Sequence, residues 1–168
     1  MFGELIVLLL YCVSFSSICC FVELYIYTCL CIAIACYLCF GKLDMLVGNA
    51  GVLGPMTPSS HIVPKEFDKA MAVNVTANAR LIRAMEPLLL QAEAPRAVFT
   101  TSGAAHKCRP FWGTYATTKA ALDALVKTWA NEHENDALRA NLLSPGPIRT
   151  AMRAQAMPGE DPETLPTP

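Results

Sequence analysis

The chain has 168 residues, 54% of them apolar, and a formal net charge of -1, which suits one compact domain. A near-neutral charge without a basic run excludes nucleic acid as the main partner, and the apolar content excludes a disordered polyelectrolyte. The composition changes at residue 41. Residues 1–40 hold seven of the eight cysteines and no Lys, Arg or Pro, whereas residues 41–168 have the composition of an ordinary soluble domain.

Residues 1–40 form an apolar leader, for which we expect a helix. No charged residue lies between Leu24 and Phe40, and a bilayer-spanning helix needs about 20 apolar residues. One interpretation is therefore a membrane anchor within residues 5–40, with Lys42 placing the following domain on the cytoplasmic side. The other interpretation is that the leader is an unrelated segment joined to the domain by an error in the gene model. In that case we expect the domain to be cytoplasmic.

Four cysteines of the leader have close spacings that resemble a metal motif: Cys29, Cys31, Cys36 and Cys39. Zinc sites lie in polar, Gly-rich turns, but these residues lie among Leu, Ile, Tyr and Ala, and no His accompanies them. The sequence therefore predicts small apolar side chains and no metal.

From Gly41 onward, strand and helix patterns alternate. Short apolar runs predict strands near 43–48, 96–101 and 139–144, and longer periodic segments predict helices near 64–90 and 112–134. This alternation predicts an α/β fold, a partial Rossmann-like, doubly wound parallel sheet of about three strands over residues 41–157. Residues 158–168, rich in Pro, Glu and Thr, are expected to form a loose tail.

Polar residues follow the three predicted strands, where ligands bind in open parallel sheets. Asn49 and Ser102 follow the first two, and Pro145-Gly146 follows the third. Tyr115 and Lys119 lie four residues apart on the second helix, so their side chains share a face. A nearby ammonium lowers the pKa of a phenol, which makes Tyr115 a candidate general acid or base. An ordinary amphipathic helix with a core Tyr and a solvated Lys would give the same pair.

The order of these residues resembles the short-chain dehydrogenase/reductase family. The pattern comprises Asp44 to Gly51, Asn74, Ser102, the Tyr115–Lys119 pair, and Asn141 to Thr150. Gly48 stands where the family more often has Asn. The resemblance implies an NAD(P)-dependent oxidoreductase that reduces a carbonyl or oxidises an alcohol on a small molecule.

The resemblance also implies a role for each matching residue. Tyr115 would exchange a proton with the substrate oxygen, Ser102 would orient that oxygen, and Lys119 would bind the nicotinamide ribose. Asn74 would bind a water that links Lys119 to solvent. The cofactor-binding residues would be Asn49, Ala50 and Gly51 on the adenosine-ribose side, and Pro145, Gly146, Ile148 and Thr150 around the nicotinamide.

The family's Gly-rich turn, which brings backbone close to the cofactor pyrophosphate, does not occur in this sequence. Gly3 is the only glycine before Gly41. The alternative to an active enzyme is therefore a catalytically inactive fragment, membrane-anchored or mis-joined. The sequence does not distinguish NAD from NADP as the cofactor. If the chain forms a homodimer, we expect helices 64–90 and 112–134 to form its interface.

Overall fold

The structure, a computed structural model, describes residues 7–10 and 21–168, with side chains from residue 31 onward. Its sheet has the order β1-β2-β3-β4, and all three strand pairs are parallel. The strands are β1 (Val7–Leu10), β2 (Met45–Gly48), β3 (Arg96–Thr100) and β4 (Arg139–Leu143). The α/β class and the three strands predicted from residue 41 onward are confirmed.

Strand β1 was not predicted. It pairs in parallel with β2, with Val7 opposite Met45 and Leu10 opposite Gly48. The expectation of a helical leader is therefore wrong at residues 7–10. A four-residue apolar run within a longer apolar segment has no period of its own, and an unpaired strand edge supplies the hydrogen bonds that favour a strand.

The expected helical leader is confirmed over α1 (Phe21–Phe40). The helix ends at Gly41, whose N–H donates to the Tyr37 carbonyl at 3.0 Å and whose φ is +70°, a conformation that glycine adopts without strain. Ala33 of α1 is buried in the core, and Ile32 and Cys36 pack against it. The transmembrane interpretation finds no support, because no helix among the described residues is long and apolar enough to cross a bilayer.

The cysteines of α1 lie partly outside the description. Cys31, Cys36 and Cys39 are free thiols, whereas the side chain of Cys29 is outside the described part of the chain. Among the residues that the structure describes, no group of three or more His, Cys, Asp or Glu side chains could hold a metal ion.

The helix predicted over 64–90 is interrupted by a π-helical turn. It consists of α2 (Pro64–Met71), the π-turn (Ala72–Thr76) and α3 (Ala77–Leu89). Pro64 opens α2 at a position where its missing N–H costs no hydrogen bond. The π-turn inserts an extra residue into the helix and contains the fully buried Asn74.

One hydrophobic core joins α1, α3 and the helix α5 (Gly113–Glu132) to alternate residues of the sheet. Phe99 of β3 lies edge-on to Trp129 of α5, with ring centroids 6.2 Å apart. A Cβ at position 48 would lie 2.3 Å from Cδ1 of Phe99. The Phe99 ring therefore explains the glycine found where the family more often has Asn.

Two short helices flank the strand ends, α4 (Ala104–Lys107) and α6 (Ala151–Ala156). The segment expected to be a loose tail makes several contacts near α6. The Arg149 N–H donates to the Pro166 carbonyl at 2.9 Å, and the Arg149 guanidinium binds Glu163. Arg153 binds the Glu160 carboxylate through two nitrogens, at 2.5 and 2.6 Å.

Candidate active site

A cavity of about 620 Å³ opens at the carboxyl ends of β2, β3 and β4. Loops after the three strands supply its floor, and α5 and α6 supply its walls. Ten of the predicted site residues line it: Asn49, Ala50, Gly51, Ser102, Tyr115, Lys119, Pro145, Gly146, Ile148 and Thr150. The parallel sheet brings these residues together because each follows the end of a strand or lies on the helix between two strands.

Ser102 lies in the short loop between the end of β3 and the start of helix α4. Its hydroxyl oxygen accepts a hydrogen bond from the Ala104 N–H at 3.2 Å, and its carbonyl accepts one from the Ala105 N–H at 3.0 Å. These bonds hold Ser102 beside the cavity. On the same side, Thr100 donates to the Oδ1 of Asn49 at 2.8 Å and joins the ends of β2 and β3.

Tyr115 lies in the first turn of α5 and is only 9% exposed. Burial raises the pKa of its phenol, and a hydrogen bond with Ser102 opposes that rise. The lowered pKa expected from Lys119 is therefore wrong for this structure, since the net direction is upward. The Lys119 ammonium lies 5.7 Å from the centre of the Tyr115 ring and donates its hydrogen bond elsewhere.

Lys119 is 2% exposed, which is unusual for an ammonium. Its Nζ donates to the Thr100 carbonyl at 2.7 Å. Burial lowers the pKa of Lys119 to about 8, against the raising effect of the Asp123 carboxylate. At neutral pH the site therefore holds a protonated phenol and a predominantly protonated ammonium side by side.

Asn74 lies behind the cavity and does not line it. Its Oδ1 accepts from the Val52 N–H at 2.8 Å, while its Nδ2 donates to the Val52 carbonyl at 2.9 Å and to the Thr118 hydroxyl at 2.8 Å. Both amide hydrogens are thus used by protein atoms. The amide joins the loop after β2 to α5, and only its Oδ1 has capacity left for a water.

Sequence reasoning did not single out several residues of the cavity wall. Lys107 ends α4, and Arg109 and Trp112 lie between α4 and α5. Met152, Arg153 and Met157 lie on or just after α6. No motif marks them, but their positions between Ser102 and Tyr115, and just after Thr150, could have indicated them. His106, four residues after Ser102, does not line the cavity, and its side chain is 69% exposed.

The residues present fit the nicotinamide-ribose end of NAD(P). A buried ammonium, a phenol and the Thr150 hydroxyl face one cavity next to Gly146, whose φ of +80° turns the chain there. Ribose hydroxyls and a carboxamide are ligands for such donors and acceptors. At the pyrophosphate end, the sequence between β1 and Gly41 contains no glycine for a close backbone approach.

Comparisons with known proteins agree with this geometry. A sequence model of the short chain dehydrogenase family matches residues 33–161. The uncharacterized oxidoreductase YciK of Escherichia coli (strain K12) is 42% identical over 129 residues, which are 77% of this chain and 51% of YciK. The chain thus spans about half the length of this curated relative.

Solved structures resemble the fold closely. A short chain dehydrogenase from Salmonella enterica serovar Typhi has a TM-score of 0.82 at 39% identity, over 84% of this chain and 58% of that one. A second, from Shigella flexneri 2a and complexed with NADP, has a TM-score of 0.80 at 38% identity, over 84% of this chain and 59% of that one. These matches, with the family model over residues 33–161, show that the chain belongs to the short-chain dehydrogenase family.

Proposed function

We propose that this chain is an NAD(P)-dependent oxidoreductase that reduces a carbonyl or oxidises an alcohol on a small molecule. The observation that carries the proposal is the convergence of Ser102, Tyr115 and Lys119 on one cavity at the strand ends. A phenol, a hydroxyl and a buried ammonium together can bind an oxygen atom and exchange a proton with it.

In this proposal, the cofactor and each side chain have a separate role in the reaction. Bound NAD(P) would supply or accept the hydride. Tyr115 donates its phenolic proton to the substrate oxygen during reduction and takes a proton back during oxidation, while the Ser102 hydroxyl orients that oxygen. Because burial raises its pKa, the Tyr115 phenol is protonated at neutral pH, the form needed for reduction.

Lys119 would hold the ribose hydroxyls, with Asn49, Ala50 and Gly51 towards the adenosine side. Pro145, Gly146, Ile148 and Thr150 would surround the nicotinamide. Membership of a family with a member solved in complex with NADP supports this cofactor class. A homodimer through helices 64–90 and 112–134 stays a prediction.

The second candidate is a chain that keeps the site geometry but does not turn over. The observation that favours it is the absence of any glycine between Leu10, where β1 ends, and Gly41. Without a Gly-rich turn, the pyrophosphate would lack the close backbone N–H groups that bind it in this family.

Consumption of NADPH and NADH by the full chain, with a panel of aldehydes and ketones, tests the proposal. Tyr115→Phe removes only the ionisable hydroxyl, so turnover should fall at least about 100-fold. Tyr37→Phe is the matched control, because Tyr37 is 64% exposed on α1, away from the cavity. Equal turnover by the two variants would refute the role of Tyr115.

If the chain alone gives no turnover, the same pair of variants can be compared after a family-type Gly-rich half is joined ahead of Gly41. Turnover in that chimera, lost with Tyr115→Phe, would assign the chemistry to this half. No turnover even then would favour the inactive candidate.

A further inference from the structure

Asp123 is a buried carboxylate for which the proposed reaction has no use. It lies on α5 one turn after Lys119 and two turns after Tyr115, and it is only 4% exposed. A buried charge is costly unless hydrogen bonds and an opposite charge compensate it.

The contacts of Asp123 lead to the Ser102 loop. Its Oδ1 accepts a hydrogen bond from the Thr101 hydroxyl, and its Oδ2 lies 3.3 Å from Nε2 of His106. Thr101 directly precedes Ser102, and His106 lies on α4, which begins just after Ser102. One carboxylate on α5 therefore holds residues on both sides of Ser102.

The same carboxylate also acts on Lys119 through its charge. Burial lowers the pKa of the ammonium, and Asp123 opposes that decrease. The other titratable or charged side chains that line the cavity are Tyr115 on α5, Lys107 on α4, Arg109 just after α4, and Arg153 on α6. None of these four is an anion at neutral pH, whereas Asp123 is a carboxylate one helical turn from Lys119.

We propose that Asp123 is a positioning residue of this site: it fixes the Thr101–Ser102 strand end against α5 and supplies a counter-charge one helical turn from Lys119 that favours the protonated ammonium. The relevance of Asp123 to catalysis rests on the proposed function. The role itself concerns the chain's own contacts, so it can be measured without cofactor or substrate.

The electrostatic half is tested by NMR on the full chain with ¹³C-labelled lysine, following the Cε shift of Lys119 against pH. Asp123→Asn removes the charge and keeps the shape, so the pKa of Lys119 should fall by about one pH unit. Asp136→Asn is the matched control, because Asp136 also binds a histidine but lies beyond the far end of α5. The comparison is repeated with His106→Gln, since His106 faces the same carboxylate.

The positioning half is tested by amide hydrogen exchange at Ala104 and Ala105, whose N–H groups bind Ser102. Thr101→Val removes the hydroxyl donor but leaves the Asp123 charge. Exchange should become at least about tenfold faster, since a hydrogen bond to a charged group is worth about 1.5–3 kcal/mol and each 1.4 kcal/mol is a factor of about ten. The pKa of Lys119 should not fall in this variant.

An unchanged pKa of Lys119 in Asp123→Asn would overturn the counter-charge role. Unchanged exchange at Ala104 and Ala105 in Thr101→Val would overturn the positioning role, and this variant keeps the proposal falsifiable if Asp123→Asn does not fold. Both results are independent of turnover. An inactive chain with the expected shifts would count against the proposed function and not against Asp123.

Discussion

The Nζ of Lys119 donates a 2.7 Å hydrogen bond to the carbonyl of Thr100, so a buried ammonium joins α5 to the end of β3. Burial lowers the pKa of this ammonium to about 8, below its ordinary value near 10.5. The folded chain therefore binds a proton at Lys119 less tightly than the unfolded chain does. Below about pH 8 the charged ammonium destabilises the folded chain.

Replacing Lys119 by Met should therefore raise the unfolding temperature at pH 7. The gain should shrink as the pH rises from about 8 towards 10.5, because the native ammonium loses its proton over that range while the unfolded one keeps it. Thermal unfolding at several pH values measures this. Lys127→Met, an exposed position on the same helix, is the control and should show no such pH-dependent gain.

Asn74→Ala should destabilise the chain by about 2–3 kcal/mol. The substitution leaves the Val52 backbone groups and the Thr118 hydroxyl without their buried partner. Urea unfolding measures the loss. Asn131→Ala, exposed on α5, should change the free energy of unfolding by less than about 0.5 kcal/mol, and an equal effect of the two variants would contradict the role of Asn74.

Gly48→Ala should cost about 2 kcal/mol or more, because the added Cβ would overlap the Phe99 ring and approach the Asn78 side chain. Phe99 is fully buried and packs against Trp129, so it has little room to move. The comparison is Gly159→Ala, where a Cβ meets no atom within 4 Å. A fully stable Gly48→Ala chain would show that the core at this strand end is looser than described.

The end of α5 carries a pH-dependent contact. Burial disfavours protonation of His133, but hydrogen bonds with Asp136 and Glu86 outweigh it and raise the pKa of the imidazole above 6.5. This contribution to stability is fully present below pH 6.5 and is lost as the pH rises through the raised value. At acidic pH, the hydrogen bond with His133 lowers the pKa of Asp136. The contribution of the Asp136 carboxylate to stability is therefore lost only as the pH falls through that lowered value.

His133→Gln should therefore destabilise the chain more at pH 6 than at pH 9, as measured by chemical unfolding at the two pH values. Glu86 also accepts a 2.6 Å bond from the Trp129 indole, which does not titrate over this range. The substitution Trp129→Phe should accordingly give a loss of stability that is similar at both pH values. Equal losses at pH 6 and pH 9 for His133→Gln would contradict the account.

The sequence was sufficient to predict the strand ends and the residues that meet there, because strands β2, β3 and β4 each end at a polar or Gly-containing turn. Strand β1 could not be predicted, since four apolar residues within the leader take their conformation from the β2 edge. The π-turn around Asn74 leaves no mark in composition. The raised pKa of Tyr115 and the buried Asp123 depend on tertiary packing, which residue spacing does not reveal.

Calorimetric titration of the full chain with NADPH, and separately with NADH, tests the central claim most directly. The account predicts saturable binding of at least one of them, weakened at least about tenfold in Lys119→Ala, since a hydrogen bond from a charged group is worth about 1.5–3 kcal/mol. Lys127→Ala should bind as the unaltered chain does. No binding of either nucleotide, or binding that is unchanged in Lys119→Ala, would contradict the assignment of this cavity as a cofactor site.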